Sequence, residues 1–176
     1  MILKLKRTPG IYVVGFMAAG KSTVGRHLAH RLGWSFFDSD AEIKAAEGVT
    51  IAEILVARGE SAFRRIESEI IRQHVRWVER GRPAVLALGG GAFAEPCNRA
   101  LLADNGISVW LDCPIEPVKR RLAQASHSPL ARDPERFAAL YEARREAYRL
   151  ADVRVPIEGD NPEGTVDAVL RHPLLL

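Results

Sequence analysis

Short apolar runs alternate with longer amphipathic stretches along the chain. The runs Ile11–Val14, Ser35–Phe37, Ala84–Leu88, Ser108–Leu111 and Val153–Pro156 are brief and rich in β-branched or aromatic residues, and they predict strands. Between them apolar residues recur at helical spacing, as in Val24, Leu28 and Leu32 or Phe63, Ile66, Ile70 and Ile71. That pattern predicts helices over Ser22–Leu32, Ala41–Glu47, Ile51–Arg58, Glu60–Glu79, Pro96–Ala103, Pro114–Ala123, Pro134–Leu150 and Pro162–Leu170. Thr50 with Glu53 three residues later reads as a capping box, and several helices open on proline, which suits the first helical turn. Gly33, Gly59, Gly81 and Gly106 each follow a helical pattern and read as left-handed caps.

Strands separated by helices imply right-handed crossovers and a parallel sheet, an α/β class in which ligands bind beyond the carboxyl ends of the strands. The loops that follow strands are therefore the informative ones. One other segment stands apart: Gln124–Asp133 lies between two helices and reads as a mobile loop long enough to cover a site.

The loop after Ile11–Val14 is Gly15-Phe16-Met17-Ala18-Ala19-Gly20-Lys21-Ser22, which fits the phosphate-binding pattern G-x-x-x-x-G-K-[ST]. Glycines let the backbone curl so that N–H groups face phosphate oxygens; Lys21 adds a point charge and the Ser22 hydroxyl a ligand for Mg²⁺. The bare pattern arises by chance in roughly one chain in a hundred. The preceding strand and following helix make it more specific; the competing reading is a glycine turn with an incidental lysine.

Composition narrows the class without naming a partner. The 176 residues suit one domain, and 47% hydrophobic with 27% charged residues is ordinary for a globular protein. Basic and acidic residues (25 and 22) are mixed, so no nucleic-acid tail is visible. Clusters at Arg64-Arg65, Lys119–Arg121 and Arg144-Arg145 suit solvated helix faces or small anions. Cys97 and Cys113 have no metal or redox spacing and read as free thiols of a reducing cytoplasm. Met1–Gly10 lacks the apolar core of a signal peptide, and no run approaches the ~20 residues of a membrane span.

After the second strand, Asp38-Ser39-Asp40 sets two carboxylates at i, i+2, which point the same way. Beside a phosphate loop, one suits Mg²⁺ through its waters and the other an acceptor hydroxyl. Alternatively Asp40 caps the helix that follows. After the third strand, Gly89-Gly90-Gly91 permits close backbone approach and positive φ, as a floor for a small polar ligand or as a plain turn. Arg64 and Arg65, and Arg144 and Arg145, offer forks for a carboxylate; Arg65 is the one best explained by pairing with Glu60 or the Glu67–Glu69 stretch.

GFMAAGKST, FDSD, FRRIE, LGGGA and the arginine four residues before Tyr148, with Ala151-Asp152 following, together resemble the shikimate kinases over nearly the whole chain. The resemblance implies a nucleoside-monophosphate-kinase-like P-loop fold, α/β/α in three layers around a five-stranded parallel sheet. It implies one domain over 1–176, with a core of about 11–171, acceptor-binding helices at about 41–80 and a lid at about 124–134. The implied enzyme moves the γ-phosphate of ATP to the 3-hydroxyl of shikimate, with Mg²⁺, as a cytoplasmic monomer that engages neither nucleic acid nor membrane. Residue by residue, it implies that Gly15, Ala18, Ala19, Gly20, Lys21, Ser22 and Thr23 hold ATP, with Arg121 beside the adenine. Ser22 and Asp38 support the metal, Asp40 meets the acceptor hydroxyls, and Arg64, Arg144 and the Gly89–Gly91 backbone bind shikimate; Lys21, Asp40 and Arg64 carry the catalysis.

Three features depart from the family pattern. Ala18 replaces a usual glycine, and phosphate binding then expects Ala18 to avoid positive φ. The lid run Ser128-Pro129-Leu130-Ala131 lacks the family's arginine, for which Arg132, or more weakly His127, is the stand-in. The loop Glu158-Gly159-Asp160 is acidic where the family is often basic. Two other readings stay open: a kinase of another hydroxy acid such as gluconate, and a non-catalytic shikimate-binding homologue.

Overall fold

The structure is a computed structural model that describes residues 10–125 and 132–175. Strands β1 (Gly10–Val14), β2 (Ser35–Asp38), β3 (Ala84–Ala87), β4 (Gly106–Asp112) and β5 (Val153–Pro156) form one parallel sheet in the order β2-β3-β1-β4-β5. The three central strands are apolar and covered on both faces, and every residue of β1 and β3 is buried. The edge strand β5 alternates buried and exposed residues, as an edge with one wet face should.

The helices are α1 (Lys21–Leu32), α2 (Ser39–Glu47), α3 (Ile51–Glu79), α4 (Pro96–Asn105), α5 (Ile115–Gln124), α6 (Pro134–Tyr148) and α7 (Pro162–Leu170). α1 packs against α7 and against β2 and β3, while α3 packs on α4 and α4 on β4. Leu28, Val85, Val109 and Leu111 are fully enclosed between these layers; each such side chain contributes roughly 1.5–3 kcal/mol. A second, smaller cluster of Ile43, Ile54, Phe63 and Ile70 lies between α2 and α3. Among the described residues, no helix is long and apolar enough to cross a membrane.

The predicted elements are all present, with differences that have local causes. The helices expected at Ile51–Arg58 and Glu60–Glu79 run on as α3, broken in direction at Gly59 (φ 81, ψ 172), a conformation open to glycine and not helical. The Thr50–Glu53 capping box starts it. Gly106 is no left-handed cap: it is extended and opens β4, opposite Gly10, whose carbonyl leaves no room for a Cβ. A short 3-10 turn at Ala92–Ala94 follows the glycine triplet without a helical pattern to announce it. Of the segment expected as a lid, residues 126–131 lie outside the described residues, and with them His127 and the Ser128–Ala131 run.

Candidate active site

The strand order sets β1 between β3 and β4, so the loops after β1, β2 and β3 open side by side at one edge of the sheet. This is the switch point at which open α/β sheets bind ligands. A cavity of about 290 Å³ lies there, lined by Met17, Lys21, Ser22, Asp38, Asp40 and Gly90 among others. A second, of about 330 Å³, lies on the far side of the phosphate loop between Thr23, Arg121, Ile157, Asp160 and Thr165. Ala18, Gly20 and Thr23 line both, so the loop is their common wall.

Gly15 (φ 152) turns the chain out of β1 where a Cβ would meet the Leu111 carbonyl at 2.8 Å, and Gly20 (φ 94) delivers it into α1. Ala19 faces inward and is buried. Ala18 does not avoid positive φ: at φ 59 it is, among the described residues, the one non-glycine in the left-handed region. The Lys21 ammonium donates to the Phe16 carbonyl at 2.8 Å. Burial lowers its pKa to about 8, against the opposing pull of Asp40 and Asp38.

The two aspartates after β2 divide differently from the capping alternative. Asp38, not Asp40, caps α2, its Oδ1 accepting from the Asp40 and Ala41 amides at 3.0 and 3.2 Å. Its Oδ2 accepts from the Ser22 hydroxyl, joining the phosphate loop to β2. Asp40 is thereby left free on the first turn of α2, open to the cleft. Dehydration by the surrounding protein and the neighbouring Asp38 charge raise its pKa, against Lys21 and Arg64.

The glycine triplet is explained by what presses on it. A Cβ on Gly89 would fall 2.7 Å from Asp40 Oδ1 and 2.8 Å from Glu67 Oε2; on Gly91 it would fall within 2.7 Å of the Arg64 guanidinium. Close approach is thus the requirement, and none of the three adopts the expected positive φ. Gly90 faces the cavity, its carbonyl held by the Tyr148 hydroxyl at 2.5 Å. The buried Ser39 hydroxyl accepts from the Gly89 amide at 2.9 Å.

The arginines also divide. Arg64, not Arg65, takes the carboxylates: it donates to Glu67 Oε1 at 2.7 Å and faces Glu60 at 3.6 Å, while Arg65 is exposed. Arg145 is committed to Asp112 and Tyr141. Arg144 points elsewhere, near enough to oppose the burial that raises the Glu67 and Tyr148 pKa values, and among the described residues no carboxylate pairs with it. Arg121 donates to the Ala18 carbonyl at 2.7 Å and pairs with Asp160. Arg132 is exposed beside the Asp133 cap of α6, and neither cavity includes it.

Sequence reasoning missed Glu67 as a member of this cluster. It is fully buried, one carboxylate oxygen has no partner among the described residues, and burial raises its pKa against the Arg64 bond. Its i+3 spacing from Arg64 was the available signal. Ser39 passed as a spacer between two aspartates, and nothing in the sequence marked it.

The sequence profile of the shikimate kinase family matches residues 17–172. A curated shikimate kinase of Paramagnetospirillum magneticum is 43% identical over 91% of this chain and 82% of its own length. One of Persephonella marina is 38% identical over 91% of this chain and 96% of its own. Among solved structures, a shikimate kinase of Acinetobacter baumannii in complex with shikimate superposes with a TM-score of 0.84 at 33% identity, covering 97% of this chain and 95% of that one.

Proposed function

The chain belongs to the shikimate kinase family, and we propose that its cleft moves the γ-phosphate of ATP onto the 3-hydroxyl of shikimate, giving shikimate 3-phosphate and ADP. The observation that carries this reading is convergence: Asp40 and Gly90 share one cavity with Lys21 and Ser22, with Arg64, Glu67 and Arg144 gathered behind the glycine floor. The base and ribose of ATP take the cavity beside Arg121, and its phosphates cross the loop toward Lys21.

Shikimate carries one carboxylate and several hydroxyls. Arg144 and Arg64 supply cations for the carboxylate, and Glu67 fixes the Arg64 fork. Asp40 receives the hydroxyl hydrogen bond and then its proton, as the hydroxyl oxygen bonds to the γ-phosphorus and the bond to ADP breaks. Its raised pKa makes it a better proton acceptor than an ordinary aspartate. Lys21 neutralises charge on the transferring phosphate, and positioning supplies most of the remaining acceleration.

Mg²⁺ fits the donors at this place: Ser22 Oγ and Asp38 Oδ2 are adjacent hard oxygens, and the other Asp38 oxygen is occupied by the α2 cap. These two would hold the ion, which when bound neutralises phosphate charge. We take the enzyme to be a cytoplasmic monomer, a state sedimentation would check.

Steady-state turnover with ATP, Mg²⁺ and shikimate tests the whole reading. A folded protein that shows none is not a shikimate kinase. A panel in which gluconate outruns shikimate, or calorimetry showing shikimate bound without ATP turnover, would select one of the two other readings of the sequence.

A further inference from the structure

Ala18 holds a conformation that alanine resists, and something must hold it there. The Ala19 amide donates to the Phe16 carbonyl at 3.2 Å, which closes a turn over Phe16–Ala19. Positive φ at the third residue of such a turn is the type II pattern, and that position favours glycine because a Cβ crowds the backbone. Left alone, alanine drifts toward the common negative-φ turn. That drift swings the neighbouring peptide groups, whose N–H directions make the phosphate cradle.

One side chain opposes the drift. Arg121, on α5 and 103 residues away, donates to the Ala18 carbonyl at 2.7 Å from a partly buried position. Its other terminal nitrogen is tied to Asp160 in the loop after β5, and the sulfur of Cys113, just after β4, lies 3.9 Å from the nitrogen that holds Ala18. The guanidinium is therefore fixed from three directions, and the turn is gripped at two carbonyls: Phe16 by Lys21 and Ala18 by Arg121.

We propose that Arg121 is a positioning residue for the phosphate loop: through the Ala18 carbonyl it holds open a left-handed turn that glycine would adopt unaided. This role is separate from any stacking of Arg121 on a nucleotide base. It rests on the reading of Gly15–Ser22 as the polyphosphate-binding loop.

The probe that isolates it is inorganic tripolyphosphate with Mg²⁺, which has no base to stack. Calorimetric titration compares the unaltered protein with R121A, A18G and the double variant. Loss of a charge-assisted hydrogen bond predicts that R121A weakens tripolyphosphate about 10-fold or more. A18G alone binds at least as well as the unaltered protein. The double variant recovers most of the loss, because glycine removes the need for the latch. Unchanged tripolyphosphate affinity in R121A overturns the proposal. So does an equal loss with and without A18G, since missing charge alone is not rescued by glycine. If the unaltered protein binds no tripolyphosphate, the phosphate-loop reading fails first and the latch with it. Should R121A fold poorly, R121M keeps the bulk of the side chain and enters the same cycle.

Discussion

Lys21 shows how a single residue is set against its surroundings. Its ammonium is desolvated by burial, and its pKa falls from 10.5 to about 8. The folded protein therefore releases this proton at lower pH than the unfolded chain, which keeps it to about 10.5. Between those values the unfolded state binds more protons, so this residue's contribution to stability rises with pH and is least favourable below about 8. Bound polyphosphate reverses the balance, because it stabilises the charged ammonium. The KM for ATP should climb above about pH 8, by up to tenfold per unit, while kcat at saturating ATP moves less. A KM flat from pH 7 to 9.5 would place the ammonium in a more hydrated setting than the structure gives it. Lys21→Met should cut kcat/KM by at least about 100-fold, as loss of a transition-state charge contact does. The same change should raise the melting temperature of the ligand-free protein at pH 7, a trade of stability for function.

At the scale of elements, the glycine floor is where side-chain chemistry dictates backbone choice. Gly89 and Gly91 are not free-standing turn glycines; each is pressed by the flexible end of a functional side chain. At Gly91 a methyl group is accommodated by pushing the part-exposed Arg64 end aside, so stability should change by less than about 1 kcal/mol while function suffers. At Gly89 the fully buried Glu67 carboxylate must shift as well, which costs more. Gly91→Ala displaces the Arg64 guanidinium and should raise the KM for shikimate by about tenfold with a smaller effect on kcat. Gly89→Ala displaces Asp40 and Glu67 and should act mainly on kcat. Steady-state kinetics on both variants, with melting curves beside them, separates these effects, and a large drop in melting temperature for Gly91→Ala would show that the floor cannot yield there. The elements themselves were legible in the sequence because apolar periodicity is local, and central strands read as continuous apolar runs. The partition of like residues was not written in residue type or spacing; only the family resemblance assigned it. Asp38 against Asp40, Arg64 against Arg65 and Arg144 against Arg145 differ only in which partner the fold brings near. For Asp38 that is Ser22, and for Arg145 it is Asp112. The positive φ of Ala18 was illegible for a similar reason: it is held by Arg121, from the far end of another helix.

Across the whole molecule the site joins two differently supported units. Lys21 and Ser22, at the start of α1, and Gly90, after β3, are carried by elements packed into the sheet core, which is large and continuous. Asp40 sits on α2 and Arg64 on the second half of α3, which joins the sheet core further along through Ile71 and Val75. Residues 41–58, by contrast, bury only Ile43 and Ile54, in the small separate cluster with Phe63 and Ile70, and leave Val56 on the surface. A unit with so little buried apolar surface opens locally at much lower free energy than the sheet. Amides of residues 41–58 should accordingly exchange with solvent orders of magnitude faster than those of β1, β3 and β4 in the ligand-free protein. Shikimate is proposed to touch both units, so it favours the state in which they are closed on each other. At 100 times its dissociation constant a ligand adds about 2.7 kcal/mol to that state, roughly a 100-fold slowing of exchange wherever opening releases it. Shikimate should therefore protect residues 41–58 strongly and β4 hardly at all. A non-hydrolysable ATP analogue with Mg²⁺ should protect the phosphate loop and α1 and leave residues 41–58 nearly as before. Equal protection of both regions by either ligand would mean that α2 and α3 open only when the sheet does, and that the acceptor site is as rigid as the phosphate site it faces.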